Sequence, residues 1–362
     1  MDIASGALRA YYLFDVADTI DLATLRTISG EGLAPADIPL RQHKSQAYLQ
    51  FPVPPLVARL DETHFDDVTW SVRVKLFDYG VVSLRLSLPI SGTWDAAIDE
   101  FIRIRNDERL QAYASETVER LCAELGSALD DPHEPLIEDF LVFDIERFGV
   151  DISGDQLLSD YPRELAATIL GERATLSRGE VDQTLRARFS YFEDDLTVVQ
   201  WDSAFVYDRR ESSDAIADIL EFANSQLLEL RTYDALLDSE LDVIYKMQPG
   251  GAARSLLGRR EAEQAQTLRY LIVDVLELTD RSSNALKIVG DAYYARIYRA
   301  AAQRLGLADW QKQIDGKLAS IGDMYRFLID QSRNRRDQFL EIIVIVLIAL
   351  ELIVGIATLA KH

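Results

Sequence analysis

The feature that most constrains this chain lies at its carboxyl end. In FLEIIVIVLIALELIVGIATLAKH, residues 339–362, the nineteen positions from Ile342 to Ala360 hold thirteen Leu, Ile or Val and a single charge, Glu351. As a helix rising 1.5 Å per residue, such a run roughly spans a hydrocarbon core of about 30 Å. Each aliphatic side chain favours insertion by about 0.3–0.6 kcal/mol, and together they outweigh the roughly 3 kcal/mol that a central carboxylate opposes. The run predicts one transmembrane helix over 339–360, a single-pass tail anchor in the lipid bilayer. Arg333, Arg335 and Arg336 precede it and only Lys361 follows among the lysines and arginines. That bias places the N-terminal bulk in the cytosol and the anchor in the cytoplasmic (inner) membrane.

Glu351, Gly355, Thr358 and His362 recur at i, i+4, i+7 and i+11, one stripe of a helix. Small and polar residues on one face mark a helix–helix contact in lipid. A protonated Glu351 packed against a neighbouring span and an ion or proton site are both open, and either reading predicts a homo-oligomer.

Upstream, residues 211–338 show three helical patterns. The first starts at Ser212 and Ser213, carries Asp214 in its first turn, and has apolar positions at Ile216, Leu220, Ala223, Leu227, Leu230, Leu237, Leu241 and Ile244, broken once by Asp234. QPGG at 248–251 ends it. The second runs from about Arg259 to Leu305. The third starts near Ala308, shows Ile314, Leu318, Ile321, Tyr325 and Leu328, and runs on into the apolar tail. These repeats predict an antiparallel coiled-coil stalk with that last set as its seam and with charged residues solvated on the other faces.

Residues 1–210 have strand periodicity, so the chain as a whole reads as α+β. WSVRVKLFDYGVVSLRLSLP is an amphipathic hairpin: Trp70, Val72, Val74 and Leu76 alternate with Ser71, Arg73 and Lys75, and Asp78-Tyr79-Gly80 turns. LRARFSYFEDDLTVVQWDSAF reads as a second hairpin with its turn at Glu193 to Asp195. YLFDV at Tyr12 to Val16 matches LVFDI at Leu141 to Ile145, and a helix opening on Asp-Ala follows each hairpin, at Asp95 and Asp214. The order β-α-β-β-α thus occurs twice, which predicts two ferredoxin-like halves, 1–135 and 136–210 plus the following helix.

Charge narrows the function. Asp and Glu number 60 against 38 Lys and Arg, a net charge of −22. Such a surface repels phosphate backbones, so no direct nucleic-acid binding is expected, though a local basic patch is compatible with it. The lone Cys122 excludes an internal disulfide and sits in an apolar helical pattern as a buried thiol. The acidic N-terminus lacks a basic segment followed by an apolar core, so neither a secretory leader nor a transit peptide is expected.

No G-x-S-x-G, H-E-x-x-H, paired C-x-x-C or Walker A motif occurs. His64 in ETHFDD and His133 in DDPHEP lie beside carboxylates, a donor set for a divalent metal that polar loops equally explain. Glu193 to Asp195 fits a hairpin turn as well as a weak cation site. Arg254, Arg259, Arg260 and Arg269 form one basic cluster, suited to an acidic partner or to neutralising Glu261 and Glu263. No catalytic residue, cofactor or metal is assigned.

FDYGVV at Phe77 to Val82, the segment Ala292 to Ile321, and LEIIVIVLIALEL at Leu340 to Leu352 resemble the "required for meiotic nuclear division" proteins, with Glu341 and Glu351 where that family's terminal L-E-x-I-I…E pattern has its acidic residues. The resemblance, that of a divergent bacterial branch, implies a membrane-bound, self-associating protein without established catalysis; its mitochondrial relatives are linked to organelle translation. The first expectation is therefore a non-enzymatic, tail-anchored scaffold that presents an α+β head to a cytosolic protein partner. The alternative is a ligand- or nucleotide-binding sensor, or an enzyme, with its site between the β-rich halves. A ribosome tether is a third.

Overall fold

In a computed structural model of the 362-residue chain, the described residues are 1–28, 41–42, 49, 51–209, 213–246, 289, 291–324 and 326. They divide into two compact units, Met1–Tyr233 with Glu277–Gln311, and Asp234–Leu276 with Lys312–His362.

The first unit is built on one mixed sheet of nine strands: β1 (Asp2–Ile20), β2 (Arg41–Gln42), β3 (Leu56–Phe65), β4 (Val68–Leu76), β5 (Val81–Thr93), β6 (Leu129–Phe148), β7 (Arg188–Phe189), β8 (Asp195–Val199) and β9 (Ser203–Asp208). Their spatial order is β2-β3-β4-β5-β1-β6-β9-β8-β7. Two long strands, β1 and β6, pair antiparallel at the centre, from Ile3 opposite Phe148 to Ile20 opposite Leu129.

This arrangement corrects the two ferredoxin-like halves. The matching segments at Tyr12 and Leu141 do lie on corresponding central strands, but those strands bond to each other, so the halves form one sheet and no cleft separates them. The hairpins are not equivalent either: β5 returns antiparallel to β1, whereas β9 runs parallel to β6. The second hairpin turns at 190–194, and a further tight turn at 200–202 makes β8 and β9 a hairpin of their own.

One sheet face is apolar. Leu8, Ala10, Tyr12 and Phe14 of β1, Val72 and Val74 of β4, Val82 to Leu88 of β5 at alternate positions, and Leu141, Phe143 and Ile145 of β6 form a single core. Helices α2 (Trp94–Arg105), α3 (Glu108–Leu125), α4 (Gly154–Asp160), α5 (Pro162–Leu170) and α6 (Arg178–Thr184) close over it through Trp94, Phe101, Val118, Leu157, Ile169 and Val181. Thr93 caps α2 by accepting from the Ala96 N–H at 3.2 Å, as its Thr-x-x pattern requires. A short α1 (Leu22–Ile28) follows β1.

The opposite face carries α7 (Ser213–Lys246) and α8 (Ala292–Arg304). From Ala215 to Leu230 every residue of α7 is buried, around the whole circumference of the helix. No free coiled-coil stalk therefore begins at 211: Asp218, Glu221 and Glu229, expected on a solvated face, are between 3% and 5% exposed. In the second unit, Leu237 of α7 and helical residues Ile314 and Ile321 are buried and Leu318 is partly so. Lys317 Nζ lies 2.7 Å from Asp234 and 2.6 Å from Asp238, which accounts for the one break in the apolar series of α7. Tyr325 and Leu328 lie outside the described residues.

Among the described residues no helix is long and apolar enough to cross a membrane. The described fold is therefore not the expected one of ferredoxin-like units ending in a single-pass, tail-anchored membrane helix: no such helix is found among the described residues. The run 339–360 with Glu351, Gly355 and Thr358, and Arg333, Arg335 and Arg336 before it, lie outside the described residues, as does the QPGG loop.

The β4–β5 turn follows its sequence closely. Gly80 has φ +87°, and its carbonyl accepts from the Val16 N–H at 3.0 Å. A Cβ there would fall 1.6 Å from the Ala17 carbonyl oxygen. Both the backbone conformation and the contact require glycine, so Gly80→Ala should lower the unfolding free energy by roughly 2 kcal/mol or more in urea denaturation.

Candidate functional site

The sheet face under α7 is charged, because odd positions of β1, β4 and β5 carry Arg9, Tyr11, Arg73, Lys75, Ser83, Arg85 and Ser87. Against them α7 sets Asp214, Asp218, Glu221 and Ser225, spaced i, i+4, i+7 and i+11, one stripe of the helix. Arg9 pairs with buried Asp144 of β6 and, at 2.7 Å, with Asp214. Arg85 reaches Asp214 at 3.5 Å. Lys75 Nζ lies 2.8 Å from Asp218 and also pairs with Glu221. The Tyr79 and Ser225 hydroxyls are 2.8 Å apart.

Burial pulls the Lys75 pKa down, but Asp218 and Glu221 outweigh it and hold the ammonium above its ordinary value. Arg85 follows the same pattern, with Tyr11 and Asp214 opposing its burial. Burial raises Asp214, yet Arg9 and Arg85 bring it below the usual carboxylate value, so it is ionised. Asp144 differs: it is 1% exposed, and burial wins over Arg9, pushing its carboxyl to about 6. Asp15 is likewise pushed to about 6 by burial, against the pull of Thr232 and of His133, whose Nε2 lies 3.5 Å away.

The cross-strand register sets a row of like charge on this face. Arg59 of β3 stands opposite Arg73 of β4, Arg73 opposite Arg85 of β5, and Arg85 opposite Tyr11 of β1. Like charges directly opposite destabilise a sheet. Only Arg85 has an ion-pair partner; Arg59, exposed, and Arg73, half-buried, have none among the described residues. Arg85 Nε, Ser83 Oγ and Ser87 Oγ are buried without hydrogen-bond partners, and the Tyr11 hydroxyl sits beside the Arg9 and Arg85 guanidiniums without a well-formed hydrogen bond. Buried donors of this kind ordinarily find an acceptor.

The residues singled out for chemistry lie elsewhere. His64 is exposed on β3, and His133 meets Asp15 on the β1–β6 ribbon. Asp195 accepts from the Tyr191 and Phe192 N–H groups at 2.8 and 2.9 Å, so its part of the acidic triplet shapes the hairpin turn. Among the described residues no three His, Cys, Asp or Glu side chains are grouped to hold a metal. Cys122 is half-buried against the core, and burial raises its thiol. Arg254, Arg259, Arg260 and Arg269 lie outside the described residues. The charged face itself shows in the sequence as the polar alternation Ser71, Arg73, Lys75; its partner stripe on α7 does not, since the acids there fit a solvated helix face.

The family model described as "Uncharacterized protein MJ0711, N-terminal domain" matches residues 5–214, more than half of the chain. The chain belongs to this MJ0711 N-terminal-domain family. The match ends at Asp214, the first acid of the α7 stripe. The protein MJ0711 of Methanocaldococcus jannaschii is 25% identical over 178 residues, 49% of this chain and 54% of that protein, so the chain spans about half the length of the curated relative it matches. No solved structure matches. Membership carries no information on the resemblance to the "required for meiotic nuclear division" proteins.

Two outcomes follow from the charged face. Lys75→Met takes away the buried ammonium that Asp218 and Glu221 share, and should cost roughly 3–5 kcal/mol in denaturant unfolding. Asp15 and Asp144 hold their protons more tightly folded than at their ordinary 3.8. Their contribution to stability is complete below that value and is lost as pH rises through about 6. The melting temperature should therefore fall as pH rises from about 4 to about 6, and Asp144→Asn should flatten that fall in calorimetric scans.

Proposed function

We propose that the chain is a non-catalytic, anion-responsive binding module whose site is the charged sheet face at the first turn of α7. The observation that supports this most directly is the row Arg59–Arg73–Arg85. Three guanidiniums abreast destabilise a sheet, and one internal carboxylate, Asp214, is shared between the end of that row and Arg9. In a chain of net charge −22 such a row is not an accident of a basic composition. An arrangement that costs stability and leaves donors open is what a ligand site requires before its ligand arrives. Catalysis draws no support from this face, because Asp144, Asp214, Asp218 and Glu221 are each engaged with a cation.

A second reading keeps the self-associating scaffold with a protein partner. It is favoured by Tyr191, Phe192 and Trp201, which are 61%, 43% and 65% exposed on the turns flanking β8. Exposed aromatic side chains are enriched where proteins dock.

Thermal melting in sulfate and in chloride at matched ionic strength tests the first reading. Binding worth about 1 kcal/mol should raise the midpoint by roughly 2–4 °C in sulfate, and Arg73→Gln should abolish the difference. Equal midpoints in the two salts, or an undiminished difference in Arg73→Gln, would refute an anion site on this row.

A further inference from the structure

We infer that the anion is a chain of linked phosphate groups, and that the Asp214 carboxylate holds the place of its terminal phosphate until the ligand arrives. The inference rests on reading the arginine row as an anion site and adds its ligand class and its internal competitor.

Length gives the first argument. Neighbouring strands lie about 4.8 Å apart, so Arg59, Arg73 and Arg85 spread their charge over about 10 Å. A single phosphate engages at most two neighbours along such a row, whereas two or three linked phosphates run its length. Guanidinium forks match phosphate oxygens two bonds at a time.

The second argument is the donor set. At the inner end of the row, Arg85 Nε is buried and has no hydrogen-bond partner among the described residues, and two residues to either side of it on β5 the Ser83 and Ser87 hydroxyls are likewise buried without one. The Arg85 Nε donor is thus open to an acceptor at this end of the row. Beside Arg85 and Arg9 stands the N-terminus of α7, a helix of 34 residues, with Ser213 Oγ 3.5 Å from Arg9 and Asp214 3.5 Å from Arg85. That end of a helix carries partial positive charge.

The third argument is the difference between the two acids at this end. Asp144 is 1% exposed and locked beneath Arg9. The Asp214 side chain is 55% exposed, reaches Arg9 at 2.7 Å and Arg85 at 3.5 Å, and belongs to the first turn of α7. It can swing into solvent without leaving a buried charge behind, and a phosphate entering between the same guanidiniums replaces it charge for charge. Occupancy then frees the first turn of α7 from the sheet.

Titration calorimetry of the full chain at fixed ionic strength tests this with orthophosphate, pyrophosphate, tripolyphosphate and ADP. Pyrophosphate should bind at least about tenfold more tightly than orthophosphate. Asp214→Asn should tighten pyrophosphate several-fold, since it removes the competitor; an acid with only a structural role would leave affinity unchanged or weaker. Arg59→Gln should weaken tripolyphosphate more than orthophosphate. ADP matching pyrophosphate assigns recognition to the phosphate chain, and ADP exceeding it adds the nucleoside; both support the proposal. Orthophosphate binding as tightly as pyrophosphate, ADP binding without pyrophosphate, or weaker binding by Asp214→Asn overturns the linked-phosphate inference while leaving an anion site. Absence of binding by all four overturns both.

Discussion

The rest of the structure depends on one seam of buried charge, where Lys75 meets Asp218 and Glu221 and Arg9 meets Asp144 and Asp214. Ions taken out of water must be paired almost completely, because a partner left alone is penalised by several kcal/mol. An apolar helix face can slide over an apolar sheet with little change in energy. A stripe of acids four and three residues apart meets cations on β1, β4 and β5 in one register only. The seam therefore fixes where α7 lies, and with it the position of Phe222 against Tyr298 of α8, whose rings are 5.8 Å apart.

The two faces of the sheet consequently do different work. The apolar face holds the unit together: Phe143 stacks on Phe205 at 6.0 Å, and Trp94 on Phe205 at 6.2 Å. Its side chains offer little to a soluble ligand. The charged face contributes less to net stability for each group buried, but among the described residues it holds buried donors without hydrogen-bond partners and, in Arg59 and Arg73, arginines without an ion pair. A fold that concentrates cations on one face while its overall charge is −22 also concentrates the field there.

Much of the local structure was legible. The alternation Trp70 to Leu76 and the turn at Asp78 to Gly80 gave the β4–β5 hairpin, and Asp-Ala pairs marked the starts of α2 and α7. The hidden parts were long-range. Likeness between Tyr12–Val16 and Leu141–Ile145 suggested two separate units, whereas the likeness reflects neighbouring central strands with the same burial. β8 and β9 are buried on both faces, so they lack the alternation that would have separated them, and two hairpins were read as one. Lys75 and Asp218 stand 143 positions apart, and periodicity tells which residues share a face but not whether that face meets water. Hence the acids of α7, Asp218 and Glu221 among them, read as solvated, and the polar alternation at Arg73 and Lys75 gave no sign of the helix that covers it. The apolar run at 339–360 was read from its hydropathy, and it lies outside the described residues.

The central claim, that paired charge clamps α7 to the sheet, is tested most directly by a double-mutant cycle between Lys75 and Asp218. Unfolding free energies of Lys75→Met, Asp218→Leu and the pair together give the coupling. The seam predicts strong non-additivity, with the double variant recovering more than about 1 kcal/mol relative to the sum of the single losses. Additive losses would show that the two side chains do not depend on each other, and would contradict the account.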